Sequence, residues 1–134
     1  MRIVHLSDTH GCHEGEVELW LKTIKADVIV HSGDFSNRGT WGEAKLFFQW
    51  FKNLDFKHKI LVPGNHDRFM VRLEKDPHER NRVVPEEITL LIDEAVEIDG
   101  VKFYGSPYTP AFNNWAFQLY PHNVEEHWNK IPEG

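Results

Sequence analysis

The nine residues KILVPGNHD, at positions 59–67, decide how the chain can fold. Their first part, 59–63, is a short and mainly apolar run, which predicts a buried β-strand. The run is followed within two residues by Asn65, His66 and Asp67. An amide, an imidazole and a carboxylate in succession have no packing role in a core, whereas open α/β sheets place their ligands at the carboxyl ends of strands. This stretch therefore predicts a strand that ends at a functional rim.

Two earlier segments end in the same way. Residues 2–6 form a strand-like run followed by Asp8 and His10, and residues 28–32 form another, followed by Asp34. The carboxyl ends of parallel strands meet at one edge of a sheet. A single parallel sheet would bring the polar residues of all three ends to one rim: Asp8, His10, Asp34, Asn65 and His66.

Helical periodicity separates these strands. Apolar residues at helical spacing predict helices over residues 16–25, 40–53 and 68–75. Strand–helix alternation with short connections predicts right-handed βαβ units, and hence an α/β fold with a mostly parallel sheet flanked by helices. Two β-prone runs around Asp99-Gly100 predict a β-hairpin at 95–104. We expect a single domain over residues 1–134.

The remaining segments give weaker signals. The charged stretch 76–85 contains Pro77 and Pro85, which break regular structure, and it is therefore expected to be irregular. A short helix is expected over 85–91, and another near the end of the sequence over 125–131.

Composition narrows the class of function. The formal net charge of −6 argues against nonspecific nucleic-acid binding. An anionic substrate would be repelled by this charge unless a local cation offsets it, and a bound metal is the simplest such cation. The single cysteine, Cys12, excludes an internal disulfide and fits a reducing compartment. The sequence opens directly into a strand-like run, and no apolar run approaches the roughly 20 residues of a membrane span. We therefore expect a cytoplasmic protein with no membrane association.

Each polar strand end can be explained without a metal. Asp8 could form an Asx-turn beside an exposed His10, and Asp34 could cap a helix. Asn65 or Asp67 could likewise cap the helix that follows. A carboxylate oxygen beside an imidazole nitrogen nevertheless suits manganese, iron or zinc. Three such ends in successive order favour a metal site more strongly than any one of them.

These motifs resemble a known family. Residues 8–10 (DTH), 33–39 (GDFSNRG) and 64–67 (GNHD) resemble the first three sequence blocks of the calcineurin-like metallophosphoesterases. Three later stretches resemble a narrower group, the metallophosphoesterase-domain (MPPED-like) proteins: 104–110, 113–117 and 128–134. The resemblance covers nearly the whole sequence.

The resemblance implies hydrolysis of a phosphoric ester, with a phosphodiester favoured and a cyclic nucleotide as one candidate substrate. It implies two divalent metal ions, with manganese favoured over iron or zinc. Asp8 and His10 would bind the first ion, Asp34 would bridge both, and Asn65 would bind the second. A metal-activated water would be the nucleophile, and His66 would face the leaving-group oxygen.

The resemblance also implies an incomplete site. The family's later blocks, a Gly-His or Thr-His pair and a Gly-His-x-His-like block, would follow Gly134. We therefore expect the N-terminal portion of the family domain, with about half of the metal ligands. The alternative is a catalytically weak or inactive metal-binding or assembly chain that needs a C-terminal segment or a partner. A homo-oligomer is also expected, because part of the sheet would stay uncovered.

Other residues receive more ordinary expectations. His5 and His31 are expected to pack in the sheet. The remaining histidines outside the rim are expected to be solvated: His13, His58, His78, His122 and His127. By the resemblance, residues 113–115 either line a substrate mouth or form a packed loop, and Arg38 and Arg68 face either phosphate or water.

Overall fold

A four-stranded parallel sheet forms the centre of the molecule. The structure is a computed structural model that describes all residues from Met1 to Gly134. The strands run in the order β1-β2-β3-β4, every neighbouring pair being parallel. They are β1 (Ile3–Leu6), β2 (Val28–His31), β3 (His58–Leu61) and β4 (Ile88–Leu90). The predicted α/β fold with a mostly parallel sheet is confirmed.

Four helices connect the strands of the sheet and cover one of its faces, and a fifth helix follows the last strand of the chain. They are α1 (Glu16–Leu21), α2 (Trp41–Lys52), α3 (Phe69–Lys75), α4 (Pro77–Val83) and α5 (Val124–Trp128). α2 provides most of the packing, because its Phe47 and Phe51 are fully buried together with Ile29 and Leu61 of the sheet. The first helix is shorter than predicted, since the amides of Thr23 and Ile24 bond to carbonyls three residues back and tighten the end of the helix.

The predicted hairpin covers the other face. β5 (Glu94–Ile98) pairs with β6 (Val101–Gly105) in antiparallel register, one residue longer at each end than predicted. Asp99 and Gly100 both have positive φ, at 50° and 80°, as a two-residue turn of the type I′ family requires. The hairpin packs a small second core on the sheet, formed by Val28, Ile60, Val62, Leu91 and Ile98. Further along the chain, β7 (Thr109–Pro110) and β8 (Gln118–Leu119) form a short parallel pair.

Two predictions between the sheet and the hairpin are wrong. Residues 76–85 are not irregular, because Pro77 occupies the first turn of α4, where its missing N–H costs no hydrogen bond. Asp76 caps this helix by accepting from the backbone N–H of Glu79 at 3.0 Å. The segment predicted as a helix over 85–91 instead contains strand β4, since pairing with β3 buries Ile88 and Leu90 and outweighs a weak local preference.

The histidine expectations hold only in part. His31 is fully buried in the sheet, and His78 and His122 are exposed, as predicted. His5 is exposed rather than packed, because the hairpin core lies on β2 and β3 and does not extend over β1. Its Nε2 lies 2.7 Å from the hydroxyl of Ser32.

The remaining three histidines are not fully solvated, contrary to prediction. His13 is buried between the rings of Phe47 and Trp50, and this burial lowers its pKa. His58 is half-buried. His127 is buried in α5, with its Nδ1 2.5 Å from an Asp93 carboxylate oxygen. Sequence spacing gave no signal for the contacts of His13 and His127, because their partners come from distant elements. No helix of the molecule is long and apolar enough to cross a membrane.

A capping box fixes the start of α2 and the loop before it. Thr40 Oγ1 accepts from the backbone N–H of Glu43 at 3.2 Å. The Glu43 carboxylate accepts from the backbone N–H groups of Asn37 at 2.6 Å, Arg38 at 3.1 Å and Thr40 at 3.3 Å. Burial alone would raise the pKa of Glu43, but these bonds outweigh it and lower the pKa below its usual 4.5.

We expect Glu43→Gln to lower the free energy of unfolding by about 1 kcal/mol at pH 7. Because the folded-state pKa of Glu43 is lowered, its contribution is fully present above the ordinary glutamate pKa and is lost as the pH falls through the folded value. Urea denaturation between pH 7 and pH 3 measures the difference. Glu86→Gln, at an exposed position, is the control. A difference that stays constant to pH 3 would show that the carboxylate charge has no part in the cap.

Candidate metal centre

Three of the predicted rim residues converge. Asp8 and His10 lie in the loop after β1, and Asp34 lies in the loop after β2. One ligand atom from each of the three lies within 4.8 Å of the others. The Nε2 atom of His10 is 3.9 Å from Oδ1 of Asp8. The structure thus assembles two carboxylates and one imidazole, and their binding of metal remains a prediction.

The backbone at these three residues is unusual. Asp8, His10 and Asp34 have φ values of 57°, 44° and 55°, in the left-handed region that side chains other than glycine seldom adopt. Backbone hydrogen bonds impose this conformation, since Asp8 N–H donates to Gly33 O and His10 N–H donates to Asp34 O, both at 2.9 Å. Such residues persist only where the surroundings determine them, and they cluster at functional sites.

A buried carboxylate, Asp67, joins the loop after β2 to the loop after β3. Its side chain accepts from the backbone N–H groups of Asp34 at 2.8 Å, Ser36 at 3.0 Å and Gly64 at 2.8 Å. It also accepts from the Ser36 hydroxyl at 2.6 Å. Burial raises the pKa of Asp67, the charge of Asp34 adds to this, and the hydrogen bonds from Ser36 and Gly64 oppose it. Asp67 therefore holds Asp34 in place rather than binding a ligand itself.

The capping alternatives are not what the structure shows. α3 begins after Arg68 with no side-chain cap, so neither Asn65 nor Asp67 caps it. The cap of α2 is Thr40, not Asp34. Gly64 is required for another reason, because a Cβ atom there would overlap Oδ1 and the backbone nitrogen of Asp34.

His31 supports the rim from below. Its Nδ1 accepts from the Gly33 N–H at 3.2 Å, and its Nε2 lies 2.9 Å from the Thr9 hydroxyl. Burial, followed by the charges of nearby histidines, lowers its pKa to about 3. A neutral His31 with an Nε2–H is therefore a fixed link between the first two loops.

The donor set fits a divalent cation. Nδ1 of His10 lies 3.1 Å from the backbone carbonyl of Ser36, which can only accept, so Nδ1 carries the proton of the neutral ring. Nε2 then presents a lone pair towards the Asp8 carboxylate. Metal-binding histidines typically donate one ring N–H to a carbonyl or carboxylate and use the other nitrogen as the ligand. His10 shows this arrangement, with Nδ1 on the Ser36 carbonyl and Nε2 facing a second possible ligand, Asp8. Carboxylate and imidazole together suit manganese, iron or zinc.

The loop after β3 meets the same rim. The backbone N–H of His66 donates to Oδ1 of Asp34 at 2.9 Å, and the His66 ring centroid is 4.8 Å from that of His10. Its Nδ1 is 3.0 Å from the Asn37 carbonyl. Asn65 is half-buried in this loop, and its backbone oxygen accepts from Ala116 N–H at 3.0 Å. The roles of the Asn65 and His66 side chains remain predictions.

Two contacts at the rim could not be found from the sequence. Trp115 stacks on His66, with ring centroids 4.1 Å apart, and the Arg68 guanidinium lies 5.2 Å from the Trp115 ring centroid. Arg68 therefore contacts an aromatic ring, while Arg38 is exposed. The largest surface cavity, of about 600 Å³, is lined by α4, β4 and β5 and includes none of the rim residues.

Comparison with known proteins agrees with the fold. The model of the calcineurin-like phosphoesterase family matches residues 1–130. The chain belongs to the calcineurin-like phosphoesterase family, whose members use divalent metal ions.

Several known proteins are similar to the chain in sequence. Human metallophosphoesterase domain-containing protein 1 is 31% identical over 154 residues, covering 99% of this chain and 45% of the relative. A UPF0046 protein of Caenorhabditis elegans is 31% identical over 143 residues, which cover 98% of this chain and 50% of the relative. The probable rhamnogalacturonate lyase C of Emericella nidulans is 30% identical over 140 residues, covering 99% of this chain but 13% of the relative. The chain spans about half the length of the first and second of these relatives.

We expect Asp67→Asn to destabilise the fold by about 2 kcal/mol, because an amide nitrogen would face N–H donors that the carboxylate now satisfies. Urea denaturation with and without manganese measures the change. Asp55→Asn, at an exposed position without hydrogen bonds, is the matched control. Equal unfolding midpoints for the two variants would contradict the linking role of Asp67.

Proposed function

We propose that residues 1–134 form the metal-binding part of a phosphoesterase that hydrolyses a phosphoric ester, with a phosphodiester favoured. The observation that carries the proposal is the cluster of Asp8, His10 and Asp34, in which the His10 lone pair faces a carboxylate. Divalent cations bound here would neutralise charge on the phosphoryl oxygens and activate water for attack.

In this proposal Asp8, His10 and Asp34 hold a first cation, and Asp34 is shared with a second. Oδ1 of Asp34 already accepts the N–H of His66, which fixes the carboxylate plane and leaves Oδ2 without a hydrogen bond. Asn65 contributes a neutral oxygen to the second cation. This mixture of carboxylate, imidazole and amide ligands suits manganese, iron or zinc, and manganese is the proposed metal.

His66 is proposed to act on the leaving-group oxygen. Its Nδ1 lies against the Asn37 carbonyl, an acceptor that supports a protonated Nδ1 in both the neutral and the cationic ring. In the cationic ring Nε2 also carries a proton, and this is the proton that would pass to the departing oxygen. The stacked Trp115 and the edge of His10 lie beside this ring.

Ligands from outside residues 1–134 are proposed to complete the site. Asp34 and Asn65 alone offer the second cation one shared carboxylate and one neutral oxygen, which compete poorly with hydration beside another cation. A C-terminal continuation or a second copy of the chain could supply the rest. The same shortage supports the second candidate function, a catalytically weak metal-binding or assembly chain.

The substrate is proposed to be a small phosphoric ester, with a cyclic nucleotide as one candidate. The net charge of −6 opposes a nucleic-acid polymer, while cations held at the rim would attract a small anion. The single cysteine fits a reducing compartment, so the cytoplasm is the proposed location.

We expect Asp34→Asn to weaken manganese binding more than Asn65→Ala does. A shared carboxylate offsets charge on two cations, whereas an amide offers one dipole to one cation. Calorimetric titration with manganese measures both variants against Asp55→Asn as the control. If Asn65→Ala has the larger effect, the shared role of Asp34 is wrong.

His66→Ala should lower turnover by roughly 10²–10⁴-fold while leaving manganese binding nearly unchanged, because the proposed role is proton transfer. Steady-state hydrolysis and calorimetry on the same preparation separate the two effects. Loss of metal together with turnover would instead make His66 a ligand or a structural residue.

Hydrolysis of bis(p-nitrophenyl) phosphate with added manganese tests the function directly. We expect residues 1–134 to bind manganese but to hydrolyse slowly, and a longer chain that includes any coding sequence after residue 134 to be much faster. A longer chain that remains inactive would favour the assembly function. A short chain that matches the longer one would contradict the proposal that outside ligands are needed.

A further inference from the structure

The segment 112–117, here called the aromatic loop, is tied to the loop that carries His66. The backbone N–H of Ala116 donates to the carbonyl of Asn65 at 3.0 Å. The Arg68 guanidinium donates to the carbonyl of Asn114 at 3.1 Å. These two hydrogen bonds lie on either side of His66 in the sequence, so the aromatic loop and the His66 loop are joined around that residue.

The backbone conformation of the aromatic loop is fixed by its packing and hydrogen bonds. Asn113, Asn114 and Phe117 have φ values of 51°, 54° and 51°, and a left-handed conformation is seldom adopted by phenylalanine. Ala116 and Phe117 are only 7% and 4% exposed and belong to the main core. Such a backbone persists only where its anchors determine it. The position of Trp115 between these anchors is therefore fixed by the fold.

Trp115 covers the His66 ring. Their planes are inclined by 27° with centroids 4.1 Å apart, whereas the His10 ring meets His66 edge-on at 76°. The hydrogen bond from His66 Nδ1 to the Asn37 carbonyl is exposed, so it competes with water and restrains the ring weakly by itself. Stacking supplies the restraint on the ring plane that the hydrogen bond lacks.

We propose that Trp115 is a positioning residue, which holds the His66 imidazole with Nδ1 on Asn37 and leaves Nε2 for the leaving group. This inference rests on the proposed role of His66. Proton transfer requires the donor to be placed within hydrogen-bond reach of the departing oxygen. Without the stacked ring, His66 can rotate, exchange Asn37 for water and adopt either tautomer.

The direct test is the tautomer of His66, which needs neither metal nor substrate. Long-range ¹H–¹⁵N spectra of the histidine side chains at pH 8 would be compared for the wild type, Trp115→Ala, Trp115→Leu and Trp115→Phe. The His66 signals are identified by their absence in His66→Ala, and Trp128→Ala, at an exposed tryptophan, is the control. We expect a fixed Nδ1–H tautomer in the wild type, in Trp115→Phe and in Trp128→Ala. A mixture of tautomers is expected in Trp115→Ala and Trp115→Leu. A fixed tautomer in both of those variants would overturn the proposal.

Kinetics on the most active form of the protein provide the second arm. If Trp115 positions His66, kcat falls by roughly 10-fold or more in Trp115→Ala with KM nearly unchanged, and Trp115→Phe restores it. A raised KM with unchanged kcat would overturn the proposal and make Trp115 a substrate-stacking residue. If the tautomer changes but His66→Ala keeps full turnover, Trp115 positions His66 and the proposed role of His66 in catalysis fails instead.

Discussion

The Asp67 carboxylate joins the loop after β2 to the loop after β3 by hydrogen bonds. It is fully buried and accepts three backbone N–H groups and one hydroxyl. A carboxylate without these donors would be costly to bury, and backbone donors without the carboxylate would be left unpaired. The loop after β2 therefore supplies most of the hydrogen-bond donors that the Asp67 carboxylate needs, and the carboxylate pairs donors that would otherwise be buried without a partner. Asp34 is fixed because its own N–H is one of these donors.

The loops after β1 and β2 bring together side chains that do not stabilise one another. Asp8 and Asp34 are both acidic, and Nε2 of His10 lies 3.9 Å from an Asp8 carboxylate oxygen. No lysine or arginine side chain bonds to any of the three, yet the backbone holds each in the left-handed conformation. A cation bound among them would remove this repulsion, which gives a physical reason for the rigid loops beneath.

Much of the fold could be predicted from the sequence, because apolar runs and helical spacing are local properties. The same holds for the rim, since Asp8, His10 and Asp34 lie in the short loops that follow β1 and β2. The predictions that were wrong concern features that depend on contacts with distant residues or on the position of a residue within its helix. Pro77 breaks most helices but begins α4, and the strand nature of β4 depends on pairing with β3. Trp115 and Asp67 lie in recognisable stretches, but their contacts with His66 and Ser36 arise only from the assembled loops.

Pulsed electron paramagnetic resonance of the manganese-loaded protein tests the central claim, that Asp8, His10 and Asp34 form a preorganised metal centre. The account predicts a coupling from a directly bound imidazole nitrogen that disappears in His10→Gln and persists in His66→Gln. Manganese that shows no imidazole coupling, or a coupling that survives His10→Gln, would contradict it.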